Sequence, residues 1–194
     1  MSSEALEFVL EELWSPVAAL TAAHDGRANG LITTSALTAS LLPEDPRISV
    51  LLAPEHLTHE LALASGAFAV HLLPAEPIDR SVEIFRTLGF RSGRSIDKLA
   101  AIPWRPGTTG APVLAEALAY VEARVADTLD VGDTTVVVAD VVAAGRLREG
   151  RHLTIADVRA QLTVDDWAAW EARLSEERAE ARKRRAQERD PASE

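Results

Sequence analysis

Residues Thr134 to Gly145 read TTVVVADVVAAG, and seven of the twelve are β-branched. Such side chains lose rotamer freedom against the preceding turn of a helix and pack well on a pleated surface, so the run demands a central strand or a bent pair of strands. A strand of that length needs paired neighbours, and the chain offers several. PVAALTAA and LITTSAL flank the turn-rich HDGRANG and predict a hairpin. Pro43 and Pro46 lead into Arg47 to Leu52, apolar and β-branched like a buried strand, and FAVHLL follows at Phe68. From Leu118 the pattern alternates, with Val121, Ala123 and Val125 on one face and Tyr120, Glu122 and Arg124 on the other. These runs make about six strands, and an antiparallel barrel, closed or partly open, absorbs them without long exposed edges.

Helical spacing appears between and around the strands. Leu57, Leu61 and Ala64 share a face that ends at Gly66, and Ile78, Val82, Phe85 and Leu88 share another that Gly89 is expected to close. Leu6, Val9, Leu10 and Leu13 follow Ser2 and Ser3 as a short amphipathic helix. Arg91 to Gly110 is mainly loop, with a brief helical stretch at Ser95 to Ala101. Beyond Gly145, Thr154 with Asp157 and Thr163 with Asp166 each set a hydroxyl three residues before an acid, the spacing of a capping box, so two helices are expected. The second carries Val164, Trp167, Trp170 and Leu174 on one face and turns polar after Ser175, where fraying is expected. The organisation expected is an N-terminal helix over residues 1–14, a mainly β barrel domain over 15–150, and a helical extension over 151–194.

Composition removes several kinds of chemistry. The chain has no cysteine, so disulfides, thiolate-bound metal centres and thiol catalysis are excluded, and redox work needs a bound cofactor. A net charge of −10 opposes nucleic acid, and the one basic cluster, Arg182 to Arg185, is interleaved with Glu in the manner of a solvated helix end. No apolar run is long enough for a membrane span, and the start MSSEALEFVLEEL is acidic where a signal peptide is basic, so a cytoplasmic protein is expected.

Catalytic motifs are few. His56 and His59 are close enough for a metal, but no HExxH pattern accompanies them, and GxSxG, GxGxxG and GxxxxGK[ST] are all missing. A hydroxyl cluster, Thr33, Thr34, Ser35, Thr38 and Ser40, runs from a strand end into a loop. It offers donors to a phosphate or to the polar edge of a planar ring, although β propensity alone also accounts for a Thr-rich strand. Thr58 and His59 open a predicted helix, where free N–H groups and the helix dipole favour an anion.

From Ser15 to Gly145 these segments, in order, resemble the flavin-reductase-like, FMN-binding split-barrel family. The likeness runs through SPVAALTA, NGLITTSALTASLLPEDPRISVLLA, THELALASGAFAVHLL, DKLAAIPWRPGTTGAPVLAEALAYVEARV and GDTTVVVADVVAAG. The resemblance implies FMN as cofactor, with FAD as the other flavin, NAD(P)H as co-substrate, a homodimer, and a partner monooxygenase supplied with reduced flavin. It implies flavin contacts from Thr33, Thr34, Ser35 and Thr38, and from the loop after the third strand, Ala53, His56, Thr58 and His59. His71 stands where the family has Asn in its Phe-x-Val-Asn-x-Leu strand and is a further candidate contact. In a reductase of this kind hydride passes from nicotinamide to flavin N5, and the protein supplies geometry and electrostatics.

Two other departures keep an alternative open. Thr134 replaces the His of the family's Gly-Asp-His motif, and the aromatic C-terminal strand is replaced by GRHLTIADVRAQL and a helix. The alternative is a flavin-binding split barrel without nicotinamide turnover, acting as a carrier, sensor or assembly module. A related barrel holding another planar cofactor, a deazaflavin or haem, is the third reading.

Overall fold

The structure is a computed structural model that describes residues 16–189. The expected helix at Leu6 to Leu13 lies outside the described residues. Strands β1 (Ala18–His24) and β2 (Arg27–Thr33) form the predicted hairpin. Its turn is tighter than the Gly/Asn-rich stretch suggested. Only Asp25 and Gly26 stand outside the ladder, both with positive φ, 48° and 75°, as a two-residue loop between twisted strands requires. Strand β3 (Leu37–Thr38) is two residues long, and β4 (Arg47–Leu52) is followed by helix α1 (Leu57–Ser65), which Gly66 ends in the left-handed conformation.

Strand β5 (Ala67–Leu72) leads to α2 (Ile78–Phe90). That helix runs through Gly89 rather than stopping there. Gly89 faces Ile32 and Trp170, and a Cβ at this position would make ordinary contact with both at 3.6 Å. Within the expected loop the chain forms a ribbon of β6 (Trp104–Pro106) and β7 (Pro112–Leu114), and residues 95–101 make turns, not a helix. The long strands β8 (Ala119–Asp130) and β9 (Thr135–Arg146) then pair along their length, with irregularities at Glu122/Ala123 and Val125/Asp127. Helices α3 (Ile155–Gln161) and α4 (Val164–Arg189) follow, each opened by its predicted Thr/Asp capping box.

Seven strands make one antiparallel sheet in the order β2-β1-β5-β8-β9-β4-β3. Laid flat, its edges would stand about 29 Å apart at ~4.8 Å per strand. Yet β2 and β3, at opposite edges, are joined by Thr34 to Ala36 alone, a link that reaches at most about 14 Å. The sheet is therefore curled into a split barrel. Its six long strands are those expected from the sequence, and β3, β6 and β7 are the short additions.

The curl encloses one core and leaves another outside. Leu20, Val50, Leu52, Phe68, Ala123 and Val137 fill the inside, capped by Leu57 and Leu61 of α1. Val17, Ala19, Leu73, Phe85, Leu88 and Leu114 form the second layer beneath α2. Strand β1 lies between the two, which is why Ala18, Ala19, Leu20, Thr21 and Ala22 are all buried. Trp170 of α4 packs on Phe85 and Phe90 with ring centroids 5.8 and 5.5 Å away, whereas Val164, expected on the same face, is 84% exposed. Helix α4 extends to Arg189. Among the described residues no helix is long and apolar enough to cross a membrane.

Candidate functional site

The end of β2 carries the hydroxyl cluster into a tight turn. Thr33 Oγ1 lies 2.8 Å from Ser35 Oγ and accepts the Ser35 N–H at 3.1 Å. Ser35 Oγ in turn accepts the Leu51 N–H at 3.2 Å. This side-chain bridge closes the gap between β2 and β4 where no backbone ladder does. It brings Thr33, Thr34 and Ser35 alongside the segment that leads to Ala53 and α1. Thr38 lies further out on β3, paired with Ile48, and with Ala36 and Tyr120 it lines an apolar slot of about 270 Å³.

The loop after β4 feeds α1 through His56, whose N–H donates to the Ala53 carbonyl at 3.1 Å. His56 is the N-cap residue and its side chain makes no capping bond, so the N–H groups of Leu57 and Thr58 lack a side-chain cap, whereas the His59 N–H donates to the His56 carbonyl at 3.0 Å. Thr58 is buried and its hydroxyl accepts from Asn29 Nδ2 at 2.9 Å. His59 turns away, with Nε2 2.9 Å from Thr135 Oγ1, and its pKa is lowered by burial and then by His56. His56 Nε2 lies 3.0 Å from Glu177 Oε1 of α4. The two histidines thus face different partners, and among the described residues no group of three His, Asp or Glu side chains converges as a metal site would require.

Asn29, His56, Thr58, Gly93, Lys98 and Glu177 line a cavity of about 660 Å³, within the size range of small-molecule sites. Gly93 admits Asn29, because a Cβ there would come within 2.3 Å of the Asn29 amide. Lys98 is buried, and its Nζ donates to the carbonyls of Gly30 at 3.0 Å and Leu88 at 2.8 Å. Burial lowers its pKa to about 7, Arg173 acts in the same direction, and Glu177 opposes them. Glu177 also accepts from Arg173 Nε at 2.9 Å. Burial would raise its pKa, but the bonds from His56 and Arg173 win and hold it at about 2.

His71 does not join this group. It is fully buried, with Nδ1 3.2 Å from the Ala19 carbonyl and Nε2 accepting the Leu114 N–H at 3.2 Å. Those two bonds define a neutral ring protonated on Nδ1 and leave neither nitrogen for a cofactor. Thr134 sits in the β8–β9 turn, where its carbonyl accepts from the Val131 N–H at 3.0 Å. Sequence reasoning misses Asn29, Lys98 and the α4 residues: Asn29 falls in the predicted turn, Lys98 in the brief helical stretch at Ser95 to Ala101, and Glu177 in the polar half of the last helix. The run from Arg182 to Arg185 is likewise engaged, Arg184 with Glu55 and Arg185 with Asp133 at 2.9 Å.

Comparison with known proteins bears on the same segments. The family described as flavin reductase like domain matches residues 10–161. The high molecular weight rubredoxin of Moorella thermoacetica is 31% identical over 138 residues, which cover 71% of this chain and 58% of that protein. The ferric-chelate reductase (NAD(P)H) of Archaeoglobus fulgidus is 32% identical over 139 residues, covering 71% of this chain and 79% of the relative. Among solved structures, nitrilotriacetate monooxygenase component B from Mycobacterium thermoresistibile superposes with a TM-score of 0.64 at 27% identity, over 77% of this chain and 83% of that one. The first of these relatives is thus a longer protein, of which the chain spans less than two thirds. The matched residues include the whole curled sheet, the Thr33–Ser35 turn and the start of α1, and the chain belongs to the flavin reductase like domain family.

Proposed function

We propose that the protein is an NAD(P)H-dependent flavin reductase that binds FMN, with FAD as the other flavin, and supplies reduced flavin to a monooxygenase. The observation that carries this reading is the Thr33–Ser35 hydroxyl turn bridged to Leu51, on the strand whose following loop opens α1 without a side-chain cap. The donor set fits a flavin. Hydroxyl and backbone groups at Thr33, Thr34 and Ser35 suit the polar edge of a ring, while the first turn of α1 with His56 suits a phosphate. The cavity at His56 and Thr58 carries the polar side chains of Asn29, Lys98 and Arg173, and the slot at Ala36 and Thr38 is mainly apolar. A bound flavin supplies hydride acceptance from the nicotinamide, a reaction for which the protein need only hold the two reactants in register. The names of the ferric-chelate reductase and of the monooxygenase component support nicotinamide use and a monooxygenase partner.

Mixing the purified protein with FMN and NADH or NADPH in the absence of oxygen tests the activity. Fast loss of the oxidised-flavin absorbance is expected, and flavin that binds but stays oxidised would refute the reductase. In the same assay, replacing Thr34 and Ser35 together by Ala is expected to weaken FMN binding by about 1–2 kcal/mol, roughly five- to thirtyfold. Unchanged affinity would move the site elsewhere. Bound but unreduced flavin is the outcome expected of the second reading, a flavin carrier or sensor, which the Thr at position 134 favours.

The homodimer is part of the proposal, but its support shifts. Trp170 is occupied by α2 of its own chain, so the helix face no longer calls for a partner. The outer face of the sheet does. Leu51, Val136 and Leu129 are in register across β4, β9 and β8, with Leu51 44% and Leu129 63% exposed, and Leu37 lies exposed on β3 beside them. A second copy covering this row removes it from water. Light scattering at micromolar concentration should give twice the chain mass, and a monomer mass would count against the pairing.

A further inference from the structure

Helix α4 lies beyond residues 10–161, which match the family. Its two halves are attached differently. The first is fixed by apolar packing and a paired fork: Trp170 lies against Phe85 and Phe90, and Arg86 donates to both carboxylate oxygens of Asp166, at 3.1 and 2.7 Å. The second half reaches the barrel through charged pairs, and two of them end on the loop between β4 and α1. Glu177 lies 3.0 Å from His56 Nε2, and Arg184 pairs with the neighbouring Glu55. The carboxylate of Glu177 thus stands beside the start of α1, where the proposed function places an anionic phosphate. It also lines the same cavity as Leu57, Thr58 and Lys98.

Two anions cannot share His56 and one helix start without repulsion. We propose that the second half of α4 is a latch over the phosphate end of the flavin site, and that Glu177 holds His56 until the ligand's phosphate replaces it. This inference rests on the flavin reading of that site. The exchange trades one charge-assisted hydrogen bond for another, so binding loosens the second half of α4 at Glu177, leaving it tethered by Arg184 to Glu55 and Arg185 to Asp133, while Trp170 and Asp166 keep the first half in place. The latch therefore discriminates by charge: a flavin that carries phosphate opens it, and riboflavin does not.

The test compares FMN with riboflavin. Glu177→Gln keeps the size of the side chain and removes its charge, and is expected to tighten FMN binding about fivefold while leaving riboflavin affinity unchanged. In the unaltered protein, FMN should speed cleavage of α4 by a protease specific for Glu, and riboflavin should not. This second measurement does not depend on the variant's folding. Equal FMN affinity in variant and wild type, or slower cleavage of α4 with FMN, overturns the latch while leaving the flavin site standing. Failure of the wild type to bind either flavin overturns the site reading, and the latch with it.

Discussion

Replacing His71 with Ala should destabilise the protein by about 3–5 kcal/mol, with no change in flavin affinity per folded molecule. The imidazole is enclosed and ties three strands together. It stands on β5 opposite Ala19 of β1, donates to the Ala19 carbonyl, and accepts the Leu114 N–H of β7. Truncation leaves the Leu114 N–H buried without its partner, costing about 1–3 kcal/mol, removes a bond from the Ala19 carbonyl, and opens a cavity besides. Against a typical total stability of 5–15 kcal/mol, the loss is large. Denaturant titration measures it, and flavin titration of the folded fraction separates it from a cofactor role. A variant of near-native stability that bound flavin poorly would restore His71 to the site.

Acid should act through the same ring. Burial lowers the His71 pKa to about 4, against opposing contributions from the Ala19 bond and Glu122. Between pH 6.5 and 4 the unfolded chain therefore binds a proton that the native one refuses, so stability falls as the pH falls through that window, by up to about 3 kcal/mol. In His71→Ala this contribution to the acid limb disappears.

His71 also shows where sequence reading stops. A strand position and an apolar environment were legible from FAVHLL, because alternation and β-branching are local properties. The partner of the imidazole is not local, since Leu114 is brought to it by the β6–β7 ribbon, 43 residues away. The same holds for Glu122. Alternation assigned it to the solvent side of its strand, yet it is buried, because Thr109 and the Gly107 turn fold over its carboxylate. Long strands, the Asp-Gly turn and the two capping boxes were readable because each is decided within a few residues. The hydroxyl turn was readable as chemistry, but its place against β4 follows only once the sheet curls and Ser35 meets Leu51. Beyond Ser175 the sequence of α4 offers polarity alone, which shows that a face is charged and not whom the charges meet.

Lys98 carries the second large effect. Its ammonium or amine is enclosed between Gly30 of β2 and Leu88 of α2, and either form can donate to both carbonyls. With the native pKa lowered to about 7 and the unfolded one near 10.5, the unfolded chain holds more protons throughout that interval. Stability therefore rises as the pH climbs from 7 toward 10.5, by as much as about 4 kcal/mol from this group. Below pH 7 the native site must accept the charge, and the full cost of burying it is present. Met has nearly the same length and no donor, so Lys98→Met should remove this rise. At pH 7 it should also cost about 1–3 kcal/mol, because two buried carbonyls lose their partner while the charge-burial cost vanishes. Denaturation midpoints of both proteins at several pH values between 7 and 10 decide the matter: the curves should diverge in favour of the wild type as the pH rises, and parallel curves would mean that Lys98 keeps its proton in the fold.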